Sequence, residues 1–367
     1  MSTSHSSCDP RSNFTLVNGS SHRSSPRSLC ILRLSAIGDI CHVIAVLRTL
    51  QHAWPTTQFT WIIGQPEAQL ASLLDGVELI TVDKRGGLKA LKELRAQLAG
   101  RNFEVLLHMQ ISLRASLVAS QVRADVKLGF DRGRARELQW MFTNTRIVAR
   151  AREHVLDSFF GFAEKLGVRE RRLRWDIPLP DEAHSYAVGL IPDGRPTLVI
   201  SPCSRHALRN WSTGRYAAVA EHASRRGMRV ILAGGRSALE REIGAEIQAT
   251  VRAPIVNQIG KDTLPQLLAL LERATVLLAP DSGPVHMATM VGTPVIGLYA
   301  ATNPDRSGPY LSRQWCVDRY PQAAHRFRGC APAELPWTEK IEEPGVMDLI
   351  EVEQVTAKLD KLLESRT

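Results

Sequence analysis

Short continuous apolar runs alternate along this chain with longer stretches in which apolar residues recur every three or four positions. The runs predict strands buried on both faces, and the longer stretches predict amphipathic helices. On this reading strands fall at 29–34, 58–63, 78–82 and 103–109, with helices at 40–53, 66–74, 87–99 and 112–122. A helix over 153–166 follows a basic stretch at 123–152. The alternation then restarts, with strands at 197–201, 228–233, 254–257, 275–279 and 295–299. Helices at 213–227, 237–250, 264–273 and 285–291 lie between or after them, and an amphipathic helix at 351–364 ends the chain. Repeated strand–helix units with short turns predict an α/β protein with parallel sheets covered on both faces.

At 367 residues the chain exceeds one ordinary core and suits two domains. The break is expected where the charged RERRLR run at 169–174 gives way to Pro178, Pro180, Pro192 and Pro196. Expected boundaries are 29–180, 181–350 and a terminal helix at 351–367. Residues 1–28, rich in Ser, Arg, Asn and His, are expected to be a disordered leader. Residues 301–345, Pro- and Arg-rich, show no clear periodicity.

Open parallel sheets bind ligands in loops at the carboxyl ends of their strands, so chemistry is sought there. The loop APDSGPVHMA follows strand 275–279. Ser282 and Gly283 can turn backbone N–H groups toward an anion at a helix start, and Gly283 has no Cβ to hold a phosphate off. Asp281 can accept from a hydroxyl, and His286 lies one turn on. The alternative is a plain helix cap, Asp281 or Ser282, with His286 half-buried beside it. Asp39 follows the first strand in SAIGD, and it too reads equally as a cap or as a cleft carboxylate. Ser204, Arg209 and Gly234-Gly235 leave two further strand ends on the same edge. Glu240 lies within reach of a ribose hydroxyl or on the surface. Gln110 and Arg114 leave the fourth strand.

Forty-six Lys and Arg against 37 Asp and Glu give a net charge of +9, which favours an anionic partner. Residues 123–152 concentrate it, with eight Arg or Lys against three Asp or Glu, including Arg132, Arg134 and Arg136. Arginine forks suit phosphate and carboxylate. No helix-turn-helix, zinc or stacking-aromatic pattern supports nucleic acid as that partner. The six cysteines are scattered without a CxxC pair, as in a reduced, cytoplasmic protein, and no apolar run approaches membrane-spanning length.

CILRLSAIGDICH, LGFDRGRARELQWMF, the LVISPCS-to-RNW segment and APDSGPVHMA, in this order, resemble the heptosyltransferases, glycosyltransferase family 9, and most closely their opsX-type branch. The resemblance spans nearly all of residues 29–364. It implies a GT-B fold, two facing Rossmann-like domains with an interdomain cleft, and an inverting transfer that needs no metal or other cofactor. Asp39 would be the general base. Ser204, Arg209, Glu240, Asp281, Ser282, Gly283 and His286 would bind the nucleotide-sugar donor; Arg209 stands where many members carry lysine. Gln110, Arg114, Arg132, Arg134 and His154, in the amino-terminal domain, would face the acceptor. The expected donor is ADP-heptose and the expected acceptor an acidic Kdo–lipid A, met at the cytoplasmic leaflet of the inner membrane. Another nucleotide sugar, or a non-catalytic relative, are the competing readings.

Overall fold

The computed structural model describes residues 25–365, so the expected leader lies outside the described residues as far as residue 24. Residues 26–28 are not leader. The Pro26 carbonyl accepts from Thr57 Oγ1, Arg27 pairs with Glu104, and the first strand begins at Ser28.

The first half runs β1 (Ser28–Leu32), α1 (Ile37–Ala53), β2 (Gln58–Gly64), α2 (Ala68–Ala71) and β3 (Val77–Val82). It continues through α3 (Gly87–Gln97), β4 (Phe103–His108), α4 (Leu113–Ser120), β5 (Ala124–Gly129), β6 (Thr145–Arg146) and α5 (Val155–Lys165). Its six strands form one sheet in the order β3-β2-β1-β4-β5-β6, every pairing parallel. The strand order reverses between β1 and β4, which places a crevice at their carboxyl ends. β1 and β4 are apolar almost throughout and bury both faces, as a central parallel strand must. Trp61 is fully buried on β2 and donates its indole N–H to the Arg33 carbonyl at 3.1 Å, fixing the chain as it leaves β1.

Two elements of the basic stretch are strands that periodicity did not reveal. β5 carries Asp125 and Lys127 on its exposed side, so its apolar run is broken, and β6 is only two residues long. The expected interdomain linker is also ordered. Trp175 docks on α1, its indole donating to the Cys41 carbonyl at 2.7 Å, and Arg48 holds the carbonyls of Trp175 and Asp176. Asp181–Leu190 then forms α6, with acidic residues in its first turn and Ala183 and Ala187 buried.

The second half contains β7 (Thr197–Ile200), α7 (Thr213–Arg225), β8 (Arg229–Leu232), α8 (Ala238–Thr250), β9 (Val256–Asn257) and α9 (Leu264–Arg273). After these come β10 (Val276–Pro280), α10 (Gly283–Met290), β11 (Val295–Tyr299), α11 (Pro304–Ser307), β12 (Val317–Asp318), α12 (Tyr320–Arg328) and α13 (Val352–Glu364). Its strands form a second parallel sheet, β12-β11-β10-β7-β8-β9. The segment 301–345, which shows no periodicity, thus supplies α11, β12 and α12. α13 packs against α7, β11 and β12. The architecture is GT-B: two Rossmann-like sheets whose carboxyl edges face one cleft.

The halves meet where α1 lies on α10. A Cβ on Gly38 would stand 2.5 Å from His286 Cδ2, and one on Gly283 3.4 Å from Ile37. What comes close at Gly38 is therefore a side chain of the other half.

Candidate functional site

A cleft of about 1680 Å³ runs between the halves, lined from one side by Asp39, Gln110 and Arg136 and from the other by Ser204, Asp281 and Ser282. That volume accommodates a nucleotide sugar with room for an acceptor.

Asp39 is not a cap. The N-cap of α1 is Ala36, which makes no side-chain cap, and Asp39 turns its Oδ2 to the guanidinium of Arg33. Arg33 is itself held by the Met109 carbonyl and lies over the Phe159 ring. The other oxygen, Oδ1, is the one free to meet a substrate. Gln110 positions this loop: its Oε1 accepts from the backbone N–H groups of Leu34 at 2.6 Å and Ser35 at 3.3 Å.

The opposite wall settles the cap question for α10 as well. Ser282 is the N-cap residue, but its side chain makes no capping hydrogen bond, and its buried Oγ has no hydrogen-bond partner. A buried hydroxyl left unpaired at a helix start is a polar group that a ligand can satisfy. Asp281 accepts from Ser307 Oγ at 3.3 Å. Ser204 is buried, its loop tied by its N–H donating to Asn210 Oδ1 at 2.7 Å.

Arg209 departs from the sequence expectation. Its guanidinium is bound to Glu342, 2.8 Å from Nε and 2.7 Å from Nη2, and lies 3.6 Å from Asp281. Two carboxylates already balance its charge, so it braces the donor wall rather than standing as a free cation. A cleft cation that the sequence reading passed over is Arg306. Arg306 lines the cleft from α11 and has no ion-pair or hydrogen-bond partner for its side chain among the described residues. Burial pulls its pKa down, opposed by the fields of Asp39 and Asp281. The signal that would have found it is the rule used elsewhere: it follows a buried strand, β11, at the carboxyl edge.

Other expected ligands are engaged in structure. Glu240 lines the cleft with both carboxylate oxygens bonded, Oε1 to the Gly235 N–H at 2.7 Å and Oε2 to Ser237 Oγ at 2.7 Å, in a capping box of α8. Arg134 lines the cleft, yet its fork is shared among Asp131, Glu153 and Ser158. Arg114 and Arg132 stand on the outer rim rather than in the cleft, Arg114 exposed on α4 and Arg132 over the Trp140 ring. His154 caps α5, its Nδ1 accepting from the Leu156 N–H at 3.0 Å, and its Nε2 lies 3.0 Å from the Gly308 carbonyl across the seam.

Three imidazoles gather there. His42 lies 4.5 Å from His286 and 5.6 Å from His154, ring centre to ring centre. Burial lowers the pKa of all three, that of His154 to about 4. An unfolded chain takes up protons near pH 6.5 that folded His154 refuses until about pH 4, so stability is full above 6.5 and falls as pH drops through that window. For His154 the loss is at most ~3 kcal/mol. A His154→Asn variant, which caps without titrating, is expected to flatten the decline of Tm between pH 6.5 and about 4, and identical slopes would refute this.

Among the described residues no three His, Cys, Asp or Glu side chains are grouped as metal ligands, and no helix is long and apolar enough to cross a membrane.

The chain is similar to known proteins over most of its length. The family model described as glycosyltransferase family 9 (heptosyltransferase) matches residues 91–334. The lipopolysaccharide core heptosyltransferase OpsX of Haemophilus influenzae is 41% identical over 337 residues, covering 92% of this chain and 97% of that protein. A glycosyl transferase family 9 structure from Veillonella parvula superposes with a TM-score of 0.76 at 22% identity, over 92% of this chain and 97% of that one. The E. coli heptosyltransferase WaaC with ADP superposes with a TM-score of 0.70 at 21% identity, over 91% and 99%. With both cleft walls in place and the match running nearly end to end, the chain belongs to glycosyltransferase family 9, the heptosyltransferases, and is a glycosyltransferase.

Proposed function

We propose that the protein transfers heptose from ADP-heptose to a Kdo-bearing lipid A acceptor in building the lipopolysaccharide core, with inversion and without a metal. The observation that carries the reading is Arg306, an unpaired cation within the field of both Asp39 and Asp281, between a carboxylate on one wall and an anion-ready helix start on the other. The acceptor hydroxyl gives its proton to Asp39 Oδ1 as its oxygen bonds to the anomeric carbon. The bond from that carbon to the diphosphate breaks, and ADP leaves with the electron pair. Attack from the face opposite the leaving group inverts the anomeric centre. Negative charge growing on the diphosphate is met by Ser282 Oγ, the N-terminus of α10 and the Arg306 guanidinium, groups fixed before the reaction begins. These donors supply the role that a divalent cation plays in other transferases. OpsX, named for the lipopolysaccharide core, supports the acceptor class, and the ADP held by WaaC supports the donor.

The test is incubation with ADP-heptose and a Kdo-bearing lipid A in EDTA, reading the mass gain of one heptose and the anomeric configuration by NMR. Transfer with inversion in EDTA is expected. Transfer only after a divalent cation is restored would refute the metal-free mechanism, and transfer from a different nucleotide sugar alone would refute the donor.

A further inference from the structure

The carboxyl edge of the second sheet carries a polar group that the transfer chemistry does not use. Asp262 lines the cleft from the loop between β9 and α9, and its Oδ2 is buried without a hydrogen-bond partner among the described residues. A buried carboxylate oxygen that accepts nothing is costly, and the free protein leaves that cost standing. Burial raises the pKa of Asp262 to about 6, opposed by a hydrogen bond from its own backbone and by the field of Arg236 on the neighbouring loop.

Such a group calls for an N–H or O–H and repels an anion. The helix start beside it points the same way. Thr263 caps α9 with its own side chain, accepting from the Gln266 N–H at 3.4 Å in a capping box. The start of α10 has no side-chain cap, so a phosphate is drawn there and not to α9.

Position along the sheet narrows the choice of ligand group. The strands run β10-β7-β8-β9, and each is followed by a cleft loop: Ser282 after β10, Ser204 after β7, Gly234 and Gly235 after β8, Asp262 after β9. Neighbouring strands lie about 4.8 Å apart, so three spacings separate the first of these loops from the last by roughly 14 Å. That is the span from the phosphates of an extended nucleotide to the far edge of its base. The loops after β8 and β9 are tied together, Gly260 donating its N–H to the Gly234 carbonyl at 3.0 Å. The helices that begin at them, α8 and α9, bring Leu239, Leu264 and Leu267 to the cleft lining. Apolar side chains with one placed polar group are what a flat heterocycle needs.

We infer that Asp262 reads the nucleobase of the sugar donor, its unpaired carboxylate oxygen accepting from the exocyclic amine of adenine. The inference rests on the ADP-linked donor proposed above and adds a residue that selects it. Uracil has no exocyclic amine, and guanine carries a carbonyl oxygen where adenine carries its amine. Either base would leave the Asp262 oxygen buried and unsatisfied, which is how a polar site rejects the wrong ligand.

The experiment is calorimetric titration of the full chain with four nucleotides: ADP, UDP, 2′-deoxy-ADP, and purine riboside 5′-diphosphate, which is ADP without its amine. Wild type is expected to bind ADP about ten- to a hundredfold more tightly than the purine riboside compound, the scale of a hydrogen bond to a charged group. Asp262→Leu is expected to bind these two alike, losing affinity for ADP and not for the analogue. A carboxylate that only shapes the loop would instead lower both affinities together. Equal binding of ADP and the analogue by wild type would overturn the inference and leave the ADP donor standing. An Asp262→Leu variant that keeps the wild-type discrimination would overturn it as well. So would a variant whose only lost discrimination is against 2′-deoxy-ADP, which would put Asp262 at the ribose. Preference of wild type for UDP, or binding of none of the four, would overturn the ADP donor itself.

Discussion

Asp39→Asn is expected to lower the rate of heptose transfer by about 10²–10⁴, the usual yield of a positioned general base. The amide keeps the size of the carboxylate, and its oxygen can still accept from Arg33, so the loop and the α1–α10 seam stay in place. Only proton acceptance is removed. The loss should therefore fall on kcat, with the KM for donor little changed and the melting temperature close to wild type. Those three readings together separate a base from a structural carboxylate. A structural Asp39, needed mainly to neutralise buried Arg33, would show a lower melting temperature and a proportionate loss of active protein instead. Transfer at the wild-type rate would remove Asp39 from the mechanism altogether.

Arg306→Met is expected to lower kcat/KM by about 10²–10³, the scale at which fixed electrostatic donors act on a leaving group. Its effect on stability should run the other way. A partly buried guanidinium with no paired anion costs solvation that the more distant fields of Asp39 and Asp281 return only in part. Replacing it with an apolar chain of similar length should leave the melting temperature unchanged or raise it, a trade of stability for activity seen at functional sites. Arg306→Lys should recover part of the rate, because the charge returns without the planar fork. If Arg306→Met destabilises the chain and leaves kcat/KM intact, the residue is structural and the diphosphate is neutralised elsewhere. By contrast Arg209→Met should destabilise, since it leaves Glu342 and Asp281 facing each other without their shared partner.

The contrast between these two arginines shows how far the sequence can be read. The strands β1, β4, β7 and β10 announce themselves as apolar runs, and Asp39, Asp281 and Ser282, singled out because ligands meet the carboxyl ends of parallel strands, all line the cleft. β5 stayed hidden because Asp125 and Lys127 interrupt it, and α6 because only Ala183 and Ala187 turn inward. Whether an arginine is free or spent depends on partners far away in the chain. Arg209 is paired with Glu342, 133 positions later, and no local pattern foretells that. Arg134, similarly, looks available in FDRGRARELQW until the fold brings Glu153 and Ser158 to it. The caps were undecidable for the same reason: that Ser282 holds the N-cap position without a capping hydrogen bond is visible only in the fold.

The seam between α1 and α10 bears on how such enzymes can change substrate. Because the acceptor-side carboxylate and the donor-side helix belong to separate sheets, a new donor half can be grafted by recombination without rebuilding the base. The graft must respect two reciprocal fits, a glycine at 38 beneath the His286 ring and a glycine at 283 against Ile37. A hybrid that pairs a bulkier residue at 38 with histidine at 286 would hold its halves apart. Such an enzyme could bind each substrate separately and yet fail to bring them together, a hybrid defect that one compensating substitution across the seam would cure.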